Sequence, residues 1–318
     1  MSEGVIYVVL GGRLGNQLFQ YAFARALKEK FYPGYHISIN SYFFRNNTEQ
    51  QKREGFEDSL RYFRLDDAAH VEKKLRHIKT FPQYCMTGIH ESVLKKIIPA
   101  RMLTGIDAKI FQPILNTFGI YDPESPSLYI EPKISRSKVI ICHGFFEHAA
   151  YFDGIRNILL DEYTPRYDVL PHNVSLMNDI TGCESVCVTI RRGDFLNIPS
   201  VNICGEKYFV DAMKAIRREV PGCKFFVFSD DVEDVKRNMH FPFDVVYESG
   251  NDPVWEKLRL MYSCRHFIIS NSTFSWWAQY LSRNEHKIVY APERWNMTDD
   301  RAGLYLTCMR KIECVRMI

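Results

Sequence analysis

A chain of 318 residues, 46% of them hydrophobic, is long enough for two domains of ordinary size and rich enough in apolar side chains to fill their cores, which excludes global disorder. A formal net charge of +3 with no long basic run gives no case for nucleic acid, and Lys73-Lys74 and Lys95-Lys96 read as solvated helix faces. Nine cysteines without a C-x-x-C pair, Cys183 and Cys187 being the nearest two, exclude zinc-ligand spacing and a disulfide framework; they fit free thiols in a reducing compartment, most of them small core residues.

The first apolar run, residues 5–10, has no basic region before it and is cut short by Gly11-Gly12-Arg13, so it does not read as a signal peptide. No apolar stretch approaches the roughly 20 residues of a membrane span, and a soluble cytoplasmic protein is expected. Residues 5–10 are short, apolar and β-branched, as a buried strand is. Leu18, Phe19, Ala22, Phe23, Ala26 and Leu27 then recur at helical spacing between Leu14 and Lys30, and residues 36–40 read as a second strand. This is a β-α-β start. Residues 41 to about 135 are less regular, with helical pieces at Ser59–Phe63 and Ser92–Ile98 and a turn at Asp122–Pro126; they read as a helical insertion. Residues 139–142 are again a strand, and Phe145–Phe152 an aromatic helix start.

The polar stretch Pro165–Gly182 places the domain boundary, giving domains 1–165 and 166–318. After it the rhythm is regular. Strands are expected at 186–190, 224–228, 244–247, 266–270 and 287–290, and helices at 208–218 and 254–263, with a further helix ending at Ser282 after the stretch 271–277. The expected class is α/β, with two Rossmann-like domains.

Four polar clusters follow predicted strands. The first is Gly11-Gly12-Arg13-Leu14-Gly15-Asn16-Gln17. It lacks the third glycine of a dinucleotide fingerprint, and the second strand ends in Asn40 rather than a ribose-binding acid. No P-loop occurs anywhere in the chain. The glycines make a tight turn, and Asn16 and Gln17 stand at a helix start where amides can meet sugar hydroxyls or phosphate oxygens. The second is Arg191-Arg192-Gly193-Asp194 after an apolar strand. Guanidinium groups suit phosphate, and Asp194 can orient one arginine. The third is Ser229-Asp230-Asp231, whose carboxylates either face a base or ribose or cap the next helix. The fourth is Ser270-Asn271-Ser272-Thr273-Phe274-Ser275-Trp276-Trp277, hydroxyls gathered at a helix N-terminus, an anion-favouring place, with the tryptophans as core. The D-x-D pattern of metal-using sugar transferases is absent, so no metal is expected. Together the clusters describe a cleft between two domains holding a phosphorylated nucleotide.

At these residues the chain resembles glycosyltransferase family 11, the α-1,2-fucosyltransferases. The resemblance rests on Gly12–Ala22, Arg191–Phe195, Phe228–Asp231, Leu260–His266, Ser270–Trp277 and Ala291–Trp295, in the family's order and across nearly the whole chain. It implies a GT-B fold with two Rossmann-like domains facing across a cleft, GDP-fucose as donor, and inverting transfer to a galactoside hydroxyl. It also implies no metal or other cofactor. The partners implied are GDP-fucose and a galactose-containing glycan acceptor, with peripheral membrane association where that acceptor is lipid-linked. By this resemblance Arg191 neutralises the leaving diphosphate, and Arg192 and Asp194 hold it. Gly15, Asn16, Gln17, Ser229, Asp230, Asp231, Asn271, Ser272, Thr273 and Ser275 are the remaining donor-side candidates. Two departures bear on the rest: Thr189 stands where the family has His before its paired arginines, and Gly144-Phe145-Phe146-Glu147-His148 replaces Gly-Tyr-Phe-Gln-Ser. Glu147, His148 and Asp194 are the candidates for the catalytic base. The alternatives are a transferase for another nucleotide sugar on the same fold, or a non-catalytic nucleotide- or glycan-binding protein.

Overall fold

Two parallel sheets, each with its own helices, make up the chain. The computed structural model describes residues 4–65, 68–72, 74–75, 112–113, 115–123, 128–298 and 301–314. The chain divides into two compact units, Met1–Glu162 and Tyr163–Ile318, with the division just before the Pro165 at which the polar stretch begins.

In the first unit, β1 (Gly4–Val9) leads through α1 (Leu14–Phe31) to β2 (Tyr35–Asn40), followed by α2 (Glu49–Arg53), β3 (Ala69–Val71), β4 (Ile120–Tyr121), β5 (Val139–His143) and α3 (Arg156–Glu162). The sheet order is β3-β2-β1-β5-β4, all parallel. The order turns back between β1 and β5, where Val9 lies opposite His143. β1 is apolar because a parallel strand is covered on both faces; Ile6 and Val8 have no exposed surface. α1 buries Leu18, Phe19, Ala22 and Phe23 at the expected spacing and ends with Lys28 and Lys30, which complement its dipole.

In the second unit, α4 (Val174–Thr181) precedes β6 (Ser185–Ile190), α5 (Glu206–Glu219), β7 (Lys224–Ser229), α6 (Val232–Asn238), β8 (Val245–Tyr247), α7 (Val254–Tyr262), β9 (His266–Ile268), α8 (Thr273–Leu281), β10 (Val289–Pro292) and β11 (Met309–Ile312). The order β8-β7-β6-β9-β10-β11 is again all parallel and is that of a doubly wound Rossmann sheet. Its switch point lies between β6 and β9. Every residue of β6 is buried, and α5 seats Tyr208, Phe209, Ala212, Met213 and Ile216 on the sheet. The α/β class and the two Rossmann-like units of a GT-B protein are both present.

One expectation is corrected, and two elements were not foreseen. Phe145–Phe152 does not start a helix; it forms one three-ten turn, Ala149–Tyr151. Phe146 there takes φ 51° and lies flat on Phe23, ring centres 3.8 Å apart, so aromatic packing sets the backbone instead of helical propensity. The polar stretch at the boundary contains α4, which follows a three-ten turn opened by Pro171 and is anchored by buried Ile180. The strand β11 was not expected, because Arg310 and Lys311 are exposed on an edge strand and hide its pattern. The expected helical piece Ser92–Ile98 lies outside the described residues, as does part of the turn Asp122–Pro126. Of the cysteines described, Cys142, Cys187, Cys204, Cys223, Cys264 and Cys314 are buried, unpaired core residues.

Candidate functional site

In the second unit the register of β6 and β7 sets Ile190 opposite Ser229. The residues that follow, Arg191-Arg192 and Asp230-Asp231, therefore leave the sheet side by side. Arg191 Nη2 donates to Asp194 Oδ1 at 2.5 Å, and its Nη1 lies 3.3 Å from Asp230 Oδ2. The guanidinium stacks on Phe195, 4.7 Å from the ring centre. Its Nε is buried and meets no hydrogen-bond acceptor among the described residues. A buried donor without an acceptor costs about 1–3 kcal/mol, and a phosphate oxygen would remove that cost.

Arg192 turns away. Its Nε donates to Asp234, and its backbone N–H donates to Asp230 Oδ1 at 2.8 Å. The hydrogen bond from Arg192 holds the Asp234 carboxyl below its usual value. Gly193 sits over Asp230 at φ 22°; a Cβ there would lie 2.5 Å from Asp230 Oδ2. The glycine lets the loop close on the carboxylate that aims Arg191.

Asp230 is thus taken up by Arg191 and the Arg192 backbone rather than presented to a nucleoside. Asp231 caps α6, accepting the Asp234 N–H at 2.9 Å, and Ser229 Oγ accepts the Asp231 N–H at 3.0 Å. Of the two readings open for these carboxylates, the structure shows capping for Asp231, and it gives Asp230 a use not foreseen, the orientation of Arg191.

Across the switch point, Ser270 follows β9. Its N–H donates to Thr189 Oγ1 at 3.1 Å, and its hydroxyl lies 3.1 Å from Ser275 Oγ. Thr189, where the family has His, thereby ties the end of β6 to the start of the α8 loop. Asn271 is buried and donates to the carbonyls of Val201 at 2.9 Å and Trp295 at 2.8 Å, so its amide holds two loops together. Ser275 also faces inward, 2% exposed. Ser272 is the N-cap residue of α8 without a side-chain capping bond, and Thr273 opens the helix half-buried. Trp276 and Trp277 have no exposed surface and anchor α8 in the core. Arg191, Ser272, Thr273 and the α8 N-terminus are thus what this unit offers an anion, on both sides of the switch point where such folds bind ligands.

In the first unit Gly12 takes φ 70°, and a Cβ on it would meet the Asn16 amide at 2.4 Å. Gly15 is buried in the first turn of α1, and Asn16 is half-buried there. Gln17 has no exposed surface. Its Nε2 donates to the carbonyls of Gly12 at 3.1 Å and Glu57 at 2.7 Å, and its Oε1 accepts the Ser59 N–H at 3.0 Å. Gln17 is a clamp between two loops, with both ends of its amide engaged by backbone groups. Glu147 is 2% exposed. His148 Nδ1 accepts the Ala150 N–H at 3.2 Å, so in its neutral form Nε2 carries the proton.

Sequence reasoning missed Gly193, Asp234 and the loop at 57–59. Asp234 had a signal, since it stands three residues after Asp231 in the first turn of a helix. Among the described residues, no three His, Cys, Asp or Glu side chains group so as to hold a metal ion, and no helix is long and apolar enough to cross a membrane.

The model of glycosyl transferase family 11 matches residues 126–302, more than half of the chain. An α-1,2-colitosyltransferase of Escherichia coli is 28% identical over 310 residues, covering 92% of each chain. An O-antigen biosynthesis glycosyltransferase, WbnK, of the same organism is 27% identical, covering 94% of this chain and 97% of its own. A galactoside 2-α-L-fucosyltransferase of Caenorhabditis elegans is 25% identical over 177 residues, 52% of this chain and 48% of its own. With two Rossmann-like units and a family match over more than half its length, this chain belongs to glycosyl transferase family 11 and is a glycosyltransferase.

Proposed function

We propose that the chain moves L-fucose from GDP-fucose to the 2-hydroxyl of a galactoside in a surface or secreted glycan, with inversion and without a metal. It works in the cytoplasm, in peripheral contact with membranes where the acceptor is lipid-linked. The observation that carries this reading is Arg191: it stands at the switch point of a Rossmann sheet, aimed by Asp194 and Asp230, with a buried Nε–H that lacks an acceptor. The relative named for transfer to a galactoside 2-hydroxyl supports the acceptor, and the one named for O-antigen synthesis supports the kind of glycan.

In the reaction, the acceptor oxygen attacks the anomeric carbon from the face opposite GDP. Positive charge develops on the sugar, as in glycoside hydrolysis, and negative charge on the leaving diphosphate. Arg191 neutralises that negative charge with a guanidinium already in place, so little reorganisation is needed at the moment of transfer. Ser272, Thr273 and the α8 N-terminus take the remaining phosphate oxygens.

A second donor sugar is favoured by one observation, the relative named as a colitosyltransferase over nearly the same length. The test is GDP release from GDP-fucose and GDP-colitose, with a panel of β-galactosides and EDTA present, for the wild type and Arg191→Ala. The expected result is turnover with one GDP-sugar that survives EDTA and falls roughly 10²-fold or more in the variant. Turnover only with GDP-colitose would replace fucose. Loss of turnover in EDTA would end the metal-free mechanism, and no GDP binding by folded wild type would end the donor assignment.

A further inference from the structure

The two arginines that follow β6 carry the same group and use it in opposite ways. Arg191 Nε meets no acceptor among the described residues, whereas Arg192 Nε donates to Asp234 in the first turn of α6. Asp234 is itself held firmly. Its Oδ1 accepts the Asn238 amide at 2.7 Å, and its backbone N–H donates to Asp231 Oδ1 at 2.9 Å. The side chains of the Arg192–Asp234 pair are only 16% and 14% exposed. Drawing both charges largely out of water costs desolvation, and α6 has its cap from Asp231 without this pair.

What the pair fixes is the Arg192 backbone. Its N–H donates to Asp230 Oδ1 at 2.8 Å, and its carbonyl accepts the Leu196 N–H at 3.1 Å over the three-ten turn Gly193–Asn197. The first bond holds Asp230, which lies 3.3 Å from Arg191 Nη1. The second closes the turn that carries Asp194 and Phe195, which bond to and stack on the same guanidinium. Three groups that aim Arg191 thus depend on where Arg192 stands. A displacement of about 1 Å in such a site can cost a reaction roughly 10²-fold.

We propose that Asp234 is a positioning residue for Arg191 that acts through Arg192, the Arg192 guanidinium serving as a strut to α6 and not as a phosphate ligand. The inference rests on the donor reading above, in which Arg191 takes the diphosphate. The strut asks of residue 192 an N–H donor at the Nε position and no positive charge. Glutamine carries its amide nitrogen the same number of bonds from the backbone as arginine carries Nε, so it can reach Asp234 while neutral. A residue that bound phosphate by its charge could not be replaced in this way.

The experiment uses the full chain and compares wild type, Asp234→Ala, Arg192→Met and Arg192→Gln, with Asp234→Ala also combined with Arg192→Met and with Arg191→Ala. GDP release from the preferred GDP-sugar gives kcat, calorimetry gives GDP affinity, and thermal melts report folding. Asp234→Ala and Arg192→Met should each lower kcat about tenfold or more and weaken GDP binding. Together they should be no slower than either alone, because both cut one strut. Arg192→Gln should recover most of the rate that Arg192→Met loses. Added to Arg191→Ala, Asp234→Ala should change kcat and GDP affinity by no more than about twofold, since nothing is left to aim. An effect of Asp234→Ala that persists in full beside Arg191→Ala overturns the positioning role, and Arg192→Gln as slow as Arg192→Met overturns the strut. If Asp234→Ala folds poorly, the two Arg192 variants, which leave α6 intact, decide the matter. A wild type that binds GDP but releases none from a GDP-sugar overturns the transfer reading alone, and the same comparisons in GDP affinity still decide on Asp234. A folded wild type that binds no GDP overturns the donor reading, and the strut with it.

Discussion

Arg191 acts through its neighbours as much as through its charge. Asp194 and Asp230 set the direction of the guanidinium, and Gly193 lets the loop close over Asp230. Arg191→Lys should therefore be nearly as slow as Arg191→Ala in GDP release, because an ammonium keeps the charge but not the planar fork those carboxylates orient. Thr189 is the other residue on which the site turns. Thr189→Val removes the acceptor for the buried Ser270 N–H, and urea titration should show a loss of roughly 1–3 kcal/mol together with weaker GDP binding. His148 gives a pH signature of the fold. Burial holds its imidazole below the ordinary value of 6.5, with Asp153 pulling part of the way back. The unfolded chain therefore takes up this proton first as the pH falls. Stability is lost from pH 6.5 down to the folded value and levels off below it. His148→Asn keeps an acceptor for the Ala150 N–H without titrating, so thermal melts across that window should lose this slope.

Among the elements, α3 is tied to α1 by one carboxylate. Glu162 is 5% exposed, accepts the Tyr21 hydroxyl at 2.9 Å and pairs with Arg25 Nε at 2.7 Å. Glu162→Ala leaves the buried Arg25 guanidinium with the half-exposed Glu29 as its remaining carboxylate partner, and chemical denaturation should register a loss of about 1–3 kcal/mol, beyond that of a surface ion pair. The strands and helices were legible from the sequence wherever the apolar period was regular. β6, α5 and β7 fall within two residues of expectation because parallel strands buried on both faces read as unbroken apolar runs. The pattern failed at β11, an exposed edge, and at Phe145–Phe152, where stacking on Phe23 outweighs local preference.

For the whole molecule, two separate sheets mean that a donor held by the second unit protects that unit first. GDP at a hundred times its dissociation constant should raise stability by about 2.7 kcal/mol. Hydrogen exchange should slow mainly in the loops after β6, β7 and β9, and Arg191→Ala should abolish both effects; protection spread evenly over both units would contradict this placement. By itself the sequence determined the α/β class, the two units and the loops in which the polar clusters stand, because strand and helix periods and turn residues are local properties of the chain. Only the tertiary structure decided how each polar side chain is used. It turned Gln17 and Asn271 inward as clamps, committed Asp230 to aiming Arg191, left the Arg191 Nε–H in want of an acceptor, and brought Asp58 against His70. Sheet register and loop closure bring together groups far apart in the chain, and no local pattern carries that information.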